Sequence, residues 1–253
     1  MRVAVLSSAG KDSTYASWWA KMQGWDVVSL VTVHITGNDS MMFQIPNTAL
    51  AGLQAYSMGT NWLPVLSDGT EEDEIIDLEN ALSGNSDSLD AFERICIDYP
   101  TVEFTSNMPI QQGKMEIDAI VVGALRSDYQ KTRIDRMCER LGLISYSPLW
   151  HNPSEDYMTA LIEHGFDVRI VSVSTEGMDD EWLGIRLTNE TLEKLLELSS
   201  VHRFNVDGEG GEFETIVVAA PHMNDVIETD GESMWDGTRG VWNLTSARLK
   251  SIR

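Results

Sequence analysis

Residues 2–33 constrain the fold more tightly than any other stretch of the chain. Val3-Ala4-Val5-Leu6 is a continuous apolar run without the alternation of a half-wet strand, so a strand over 2–7 is expected to be covered on both faces. A small polar string, Ser8-Ala9-Gly10-Lys11-Asp12-Ser13, follows at once. Apolar residues then recur at helical spacing, and a helix is expected from near Ser13 through Ala16, Trp19, Ala20 and Met22 to Gly24. The next apolar run, over 27–33, predicts a second core strand. Strand, tight loop, helix and strand make a βαβ unit, and its two strands should be parallel.

The loop at 8–12 has a chemistry of its own. Small residues between a buried strand and a helix offer backbone N–H groups to an anion. Lys11 adds a mobile positive charge suited to phosphate, and Ser8 and Ser13 add hydroxyls. Asp12 is out of place in an anion site unless Mg²⁺ lies between it and the phosphates, or unless it caps the helix. The string matches neither GxxxxGK[ST] nor GxGxxG.

The rest of the chain continues as α/β. A helix is expected over 50–59, a short strand over 62–65, a solvated acidic helix start in 68–77 and a covering helix over 87–96. A further strand is expected over 117–124, followed by a helix over 128–141 on which Tyr129 and Arg133, four apart, share a face. The character changes at 145–153, where a domain boundary is expected near 145. Beyond it come a helix over 154–164, a strand over 167–173, a helix over 188–200, a glycine-rich acidic loop over 205–212, a strand over 215–220, and strand-like pieces in 234–249 that close a small sheet.

Composition narrows the function. Forty acidic residues against 18 basic give a formal net charge of -22. A chain so charged repels naked nucleic acid unless a local basic patch overrides the field, and no long Lys/Arg run exists. Acidic residues spread along the chain with few lysines predict a high-salt cytoplasm, where screening removes much of the self-repulsion. Cys96 and Cys138 form no CxxC pair, which argues against zinc, iron–sulfur and disulfide frameworks and predicts buried thiols. No stretch approaches the roughly 18 apolar residues of a membrane span, so a soluble cytoplasmic protein is expected.

Four segments together resemble a known family. Ser8-Ala9-Gly10-Lys11-Asp12-Ser13 resembles the SGGKDS loop of the N-type PP-loop ATP pyrophosphatases, with Ala9 in place of the first glycine. Ser40-Met41-Met42-Phe43-Gln44-Ile45-Pro46-Asn47 resembles the SYMFH-x-PN segment of the diphthine–ammonia ligases, with Gln44 in place of histidine. Gly123 to Arg133 resembles their GAI-x-SDYQ-x-x-R signature, followed by Pro148-Leu149-Trp150. Gly208-Glu209-Gly210-Gly211-Glu212-Phe213-Glu214-Thr215 resembles GEGGE[YF]ET. The resemblance is to the archaeal form of that family. It implies an N-terminal parallel-sheet domain of HUP type (adenine nucleotide alpha hydrolase-like) over 1–144. It also implies a smaller C-terminal α/β substrate-binding domain over 145–253.

The activity it implies is ATP-dependent amidation of diphthine on translation elongation factor 2. Ammonium is the nitrogen source and an acyl-adenylate the intermediate, with AMP and pyrophosphate released. ATP and Mg²⁺ are the implied cofactors, and a homodimer is admitted. By the same resemblance Ser8, Ala9, Gly10, Lys11, Asp12 and Ser13 hold ATP phosphates, with Asp12 sharing the metal. Gly123 and Ala124 allow close approach of nucleotide at a strand end. His34 either borders the adenine or is an edge histidine. Ser127, Tyr129 and Arg133, with Asp128 and Gln130 beside them, belong to the active site. Glu209, Glu212 and Glu214 bind a cation or deprotonate the attacking nitrogen. Two rivals remain: another PP-loop adenylating ligase acting on a different carboxylate or a tRNA base, and a non-catalytic nucleotide-binding protein.

Overall fold

The first strand is buried as its composition requires: Val3, Ala4 and Val5 have no exposed area. In the computed structural model, which describes residues 1–37, 47–70 and 72–251, the chain begins β1 (Arg2–Leu6), α1 (Lys11–Met22), β2 (Asp26–Ile35), α2 (Leu50–Met58) and β3 (Asn61–Ser67). It continues α3 (Asp73–Leu82), α4 (Ser88–Asp98), β4 (Val102–Glu103), β5 (Ala119–Val121), α5 (Asp128–Leu141) and β6 (Ile144–Tyr146). It ends α6 (Ser154–Glu163), β7 (Asp167–Val173), α7 (Asn189–His202), β8 (Phe213–Ala219), β9 (Asp225–Asp236) and β10 (Arg239–Ser251). The segment Ser40 to Pro46, read above as a family motif, lies outside the described residues.

Five strands form one sheet in the order β3-β2-β1-β5-β6, and every pairing in it is parallel. This is the HUP-type arrangement expected. From β1 the chain winds one way to β2 and β3, then crosses to β5 on the other side. The crevice of an open α/β sheet lies at that reversal, outside the carboxyl ends of its strands. The second sheet runs β4-β10-β7-β8, with β9 paired to β10. Its pairings are antiparallel except for β4 on β10. The break expected near 145 falls within β6, which completes the first sheet, while β4 joins the second.

The two sheets share one core. A single apolar cluster runs from Val3 and Val5 through Leu50 and Leu53 to Val168, Ile216 and Val217. Helix α2 lies inside it and buries all its residues except Tyr56, the state of a helix apolar on every side. Gly52 lets its backbone approach the Trp62 ring, where an added Cβ would sit 2.7 Å from ring carbons. A second cluster, with Val31, Leu78, Ile120 and Met137, covers the other face of the first sheet.

Four expectations need correction, the first being that both thiols are buried: Cys138 is, but Cys96 is partly exposed. Helix α1 starts at Lys11 rather than Ser13, with Gly10 as an extended N-cap, so Lys11 and Asp12 lie in its first turn. Its buried face is Lys11, Ser13, Thr14, Ala16, Ser17 and Ala20, whereas Met22 is 60% exposed. Strand β5 is shorter than 117–124, because only Ala119 to Val121 pair with both β1 and β6. The C-terminal pieces are one long hairpin starting at Asp225, in which Glu228 of β9 pairs with Arg248 and Lys250 of β10 at 2.9 and 2.7 Å.

Burial holds one histidine neutral. Neither ring nitrogen of His222 has a hydrogen-bond partner among the described residues, and Phe166 lies 6.3 Å away, ring to ring. Burial first, and then the charge of Lys21, push the imidazole down to about 3 from the usual 6.5. The unfolded chain therefore binds a proton that the folded chain refuses between those two values. Stability from this group is present above pH 6.5 and is lost as pH falls toward 3, at up to about 1.4 kcal/mol per pH unit. His222→Phe should flatten that slope between pH 6 and 4, read as the difference in urea midpoints between variant and parent. A slope unchanged by the substitution would remove His222 as its cause.

Candidate active site

The phosphate-type loop is bolted to the second sheet. Ala9 is fully buried and sits at φ +65°, a left-handed conformation that costs an L-residue roughly 1–2 kcal/mol. Its carbonyl accepts two hydrogen bonds, from Val217 N–H at 2.9 Å and from Gln54 Nε2 at 3.2 Å. Gln54 Nε2 also donates to the Val217 carbonyl at 2.8 Å. Two residues on, Lys11 N–H donates to Thr215 Oγ1 at 3.1 Å. The free edge of β8 is thus closed by the loop.

Within the loop, the Gly10 carbonyl accepts from the hydroxyls of Ser13 at 3.2 Å and Thr14 at 2.8 Å. Lys11 is 4% exposed, and its ammonium pairs with both Asp12 carboxylate oxygens at 3.0 and 2.9 Å. Asp12 Oδ1 also accepts from the Tyr157 hydroxyl at 2.8 Å. Burial first, then the charge of Asp12, raise that phenol well above its ordinary value, so it stays a donor. The first turn of α1, with its positive dipole end, faces a cleft of about 380 Å³.

The rest of the lining comes from two places. One is the end of β5, where Gly123 approaches the first turn of α1 so closely that an added Cβ would lie 2.6 Å from the Asp12 carbonyl carbon and 2.7 Å from Ser13 N. The other is the 208–215 segment of the second sheet, which lines the cleft with Gly208, Glu209, Gly211, Phe213, Glu214 and Thr215. An ion pair joins the two walls. Arg126 Nη2 donates to both oxygens of Asp207, at 2.7 and 2.6 Å, and Asp207 has no exposed area. Arg126 N–H donates to Glu209 Oε1 at 2.9 Å, and Nη1 donates to Ser154 Oγ at 3.2 Å. Burial acts to raise the Asp207 carboxyl, but the Arg126 hydrogen bonds and charge outweigh it and hold it below the usual range.

The carboxyls of the second wall are shifted. Burial, reinforced by the charge of Asp12, raises Glu209. Burial alone pushes Glu214 up to about 7. Among the described residues no cluster of three or more His, Cys, Asp or Glu could hold a metal. The donor set therefore fits Mg²⁺ only in the manner of one carboxylate, Asp12, completed by substrate phosphates.

The expected residues divide. Ser8, Lys11, Asp12, Ser13, Gly123, Ala124, Gln130, Glu209 and Glu214 line the cleft together. Ala9 supports it from behind. Ser127 caps α5, accepting from Gln130 N–H at 3.3 Å. Tyr129 and Arg133 stack on one another with the guanidinium carbon 3.6 Å from the ring centre, and Arg133 Nη2 lies 3.5 Å from Glu72; neither lines the cleft. His34 is buried at the end of β2 and bonded through Nε2 to Asp98 at 2.8 Å, also outside the lining. Glu212 folds back, its Oε1 accepting from Asn205 N–H at 2.8 Å and Nδ2 at 2.7 Å. Gln54, Tyr157 and the Arg126–Asp207 pair were missed by sequence reasoning. Only Gln54 carried a signal, as the lone amide in an apolar helical window.

Comparison with known proteins agrees over nearly the whole length. The family described as diphthamide synthase N-terminal domain matches residues 1–99 and 101–145, and that described as diphthamide synthase C-terminal domain matches residues 153–249. The diphthine–ammonia ligase of Mus musculus is 31% identical over 238 residues, covering 91% of this chain and 83% of its own. Those of Rattus norvegicus and Homo sapiens are 30% and 29% identical, covering 91% and 92% of this chain and 83% and 85% of their own.

The buried pair makes a testable statement. Arg126→Met strands the Asp207 carboxylate without exposure, and the loss should reach about 3–5 kcal/mol in urea unfolding. Arg126→Met combined with Asp207→Leu removes both charges and should recover most of it. Equal losses in the single and double variants would show that the pair is not what joins these walls.

Proposed function

The chain belongs to the diphthamide synthase family, and from that premise we propose that it catalyses the ATP-dependent amidation of diphthine on translation elongation factor 2 with ammonium. The observation that carries the reading is the cleft itself. A phosphate-type loop at the reversal point of the parallel sheet faces carboxylates brought from the second sheet. Amide formation by adenylation needs both halves: a site for phosphates, and groups that manage a cationic nitrogen.

In this reading residues 1–144 bind the nucleotide and residues 145–253 recognise the protein substrate. The first-turn N–H groups of α1, the hydroxyls of Ser8 and Ser13, and Lys11 orient the phosphates. Lys11 stabilises charge growing on the departing pyrophosphate. The diphthine carboxylate oxygen bonds to the α-phosphorus as the bond to the β-phosphate breaks, giving the acyl-adenylate. Asp12, held by Tyr157, is the residue that would hold Mg²⁺, which supplies charge neutralisation between the phosphates. Gly123 and Ala124 leave room for the nucleotide, and Glu209 and Glu214 face the acyl carbon side. Ser127, Tyr129 and Arg133 act through α5, fixing the position of Gln130 in the cleft wall.

The test is direct. Protein, ATP, ammonium and elongation factor 2 carrying diphthine should yield AMP, pyrophosphate and the amide mass change in equal amounts. ADP in place of AMP would sink the reading. Lys11→Ala should lower kcat by about 10²–10³-fold with an intact fold by circular dichroism, and full activity would remove the loop from the chemistry.

The charge of -22 supports an archaeal, halophilic-type cytoplasmic protein that keeps away from nucleic acid. The thermal midpoint should then rise between low and molar potassium chloride, where the screening length falls from about 10 Å to about 3 Å. A midpoint that does not change, or falls, counts against the halophilic reading. Among the described residues no helix is long and apolar enough to cross a membrane.

A further inference from the structure

The three glutamates around the glycine-rich loop are close in sequence but meet three different environments. Glu212 Oε1 is taken by the N–H and the amide of Asn205. Glu209 Oε1 is taken by Arg126 N–H, with the guanidinium and Asp12 nearby. Glu214 is half-buried on β8 and lines the cleft. No hydrogen bond or ion pair reaches its carboxylate among the described residues. It lies one residue from Thr215, whose hydroxyl accepts the Lys11 N–H, so its backbone is fixed to the phosphate loop.

We propose that Glu214 is the group that binds ammonium in this cleft and takes its proton, releasing ammonia for attack on the acyl carbon. The assignment rests on the amidation reaction proposed above. The chemistry separates the two cations that reaction brings in. Ammonium carries four N–H donors and needs a carboxylate with unused acceptor positions. A trimethylammonium group carries no N–H donor and gains nothing from them. Glu214 lines the cleft with both oxygens clear of protein partners, Glu212 is folded onto Asn205 and lies outside the lining, and Glu209 has given one oxygen to Arg126.

The step balances within the site. One N–H bond of ammonium breaks, its electron pair stays on nitrogen, and the proton forms an O–H bond on Glu214. The nitrogen lone pair then bonds to the acyl carbon. As the adduct collapses, the bond from that carbon to the AMP oxygen breaks and its electron pair leaves with AMP. A second proton passes from the adduct nitrogen to solvent. Burial supports the role, because a carboxyl pushed up to about 7 is a far better proton acceptor from ammonium than an ordinary one.

Hydroxylamine tests the assignment, since it is largely neutral at pH 7.5 and needs no deprotonation before attack. Both nucleophiles are offered to the full chain with ATP and elongation factor 2 carrying diphthine, and amide and hydroxamate are counted by mass. Glu214→Gln should lower ammonium-dependent kcat/KM by about 10²-fold or more. It should raise the hydroxylamine-to-ammonium ratio by a comparable factor, and the variant's ammonium-dependent rate should keep rising above pH 7, where the parent levels off, because only free ammonia then reacts. An unchanged ratio, or the same shift from Glu209→Gln in place of Glu214→Gln, overturns the assignment alone. Failure of the parent protein to form AMP with either nucleophile overturns the amidation reading and the assignment with it.

Discussion

The Ala9 carbonyl is the point from which the site hangs. A strand at the edge of a sheet presents N–H and C=O groups that must be paired or covered, and β8 is such an edge. Its Val217 N–H finds the Ala9 carbonyl, and its Val217 C=O finds Gln54. Ala9 turns its carbonyl that way at φ +65°. The strain of about 1–2 kcal/mol is of the same order as the two hydrogen bonds the carbonyl accepts, each worth about 0.5–1.5 kcal/mol. Glycine would relieve the strain, yet it would also free the unfolded chain and remove a buried methyl. Alanine at this position is therefore compatible with the loop, because the loop is defined by what its backbone bonds to.

Several properties follow from that joint. Because the loop closes the β8 edge, the two sheets share one apolar cluster and α2 is buried except at Tyr56. Because β8 is fixed against α1, Glu214 and Thr215 are delivered to the same cleft as Lys11. The Arg126–Asp207 pair adds a second tie on the far side of the glycine-rich loop. Such a pair gives little net stability over apolar contact, but its hydrogen bonds fix where Arg126 N–H, and with it Glu209, must lie.

Sequence periodicity reports what is local. The helix over 128–141 and the strand over 167–173 agree with α5 and β7 to the residue, because each carries its own apolar face and, for α5, its own serine cap and C-terminal glycine. Strand β4 has two residues and is made by its partner, so no pattern within it could announce it. Strand β9 carries a weak signal because Thr229, Gly231 and Ser233, not large apolar residues, follow Ile227 on its other face. The loop at 8–13 and the glutamate loop were legible as motifs. Their supports were not: Tyr157 meets Asp12 across 145 positions and Arg126 meets Asp207 across 81. Periodicity also cannot separate Glu212 from Glu214, which stand two apart. What separates them is that Asn205 returns to Glu212, a contact set by the turn and not by either residue.

The acidity of the chain sets the terms on which an anionic nucleotide could enter such a cleft. Its two flanking cations are already matched, Lys11 by Asp12 and Arg126 by Asp207. Attraction must come at short range, from the first-turn N–H groups of α1 and from a lysine that can turn from Asp12 to phosphate. Long-range attraction is missing, since a net charge of -22 opposes an anion at every distance within the screening length. Salt acts unequally on these two contributions. At molar ionic strength the screening length is about 3 Å, which removes the surface repulsion and leaves hydrogen bonds of that length nearly intact. In the amidation reading, short-range phosphate contacts under a diffuse acidic surface are matched to a concentrated electrolyte. On that reading, dilute salt sets the same surface against the nucleotide.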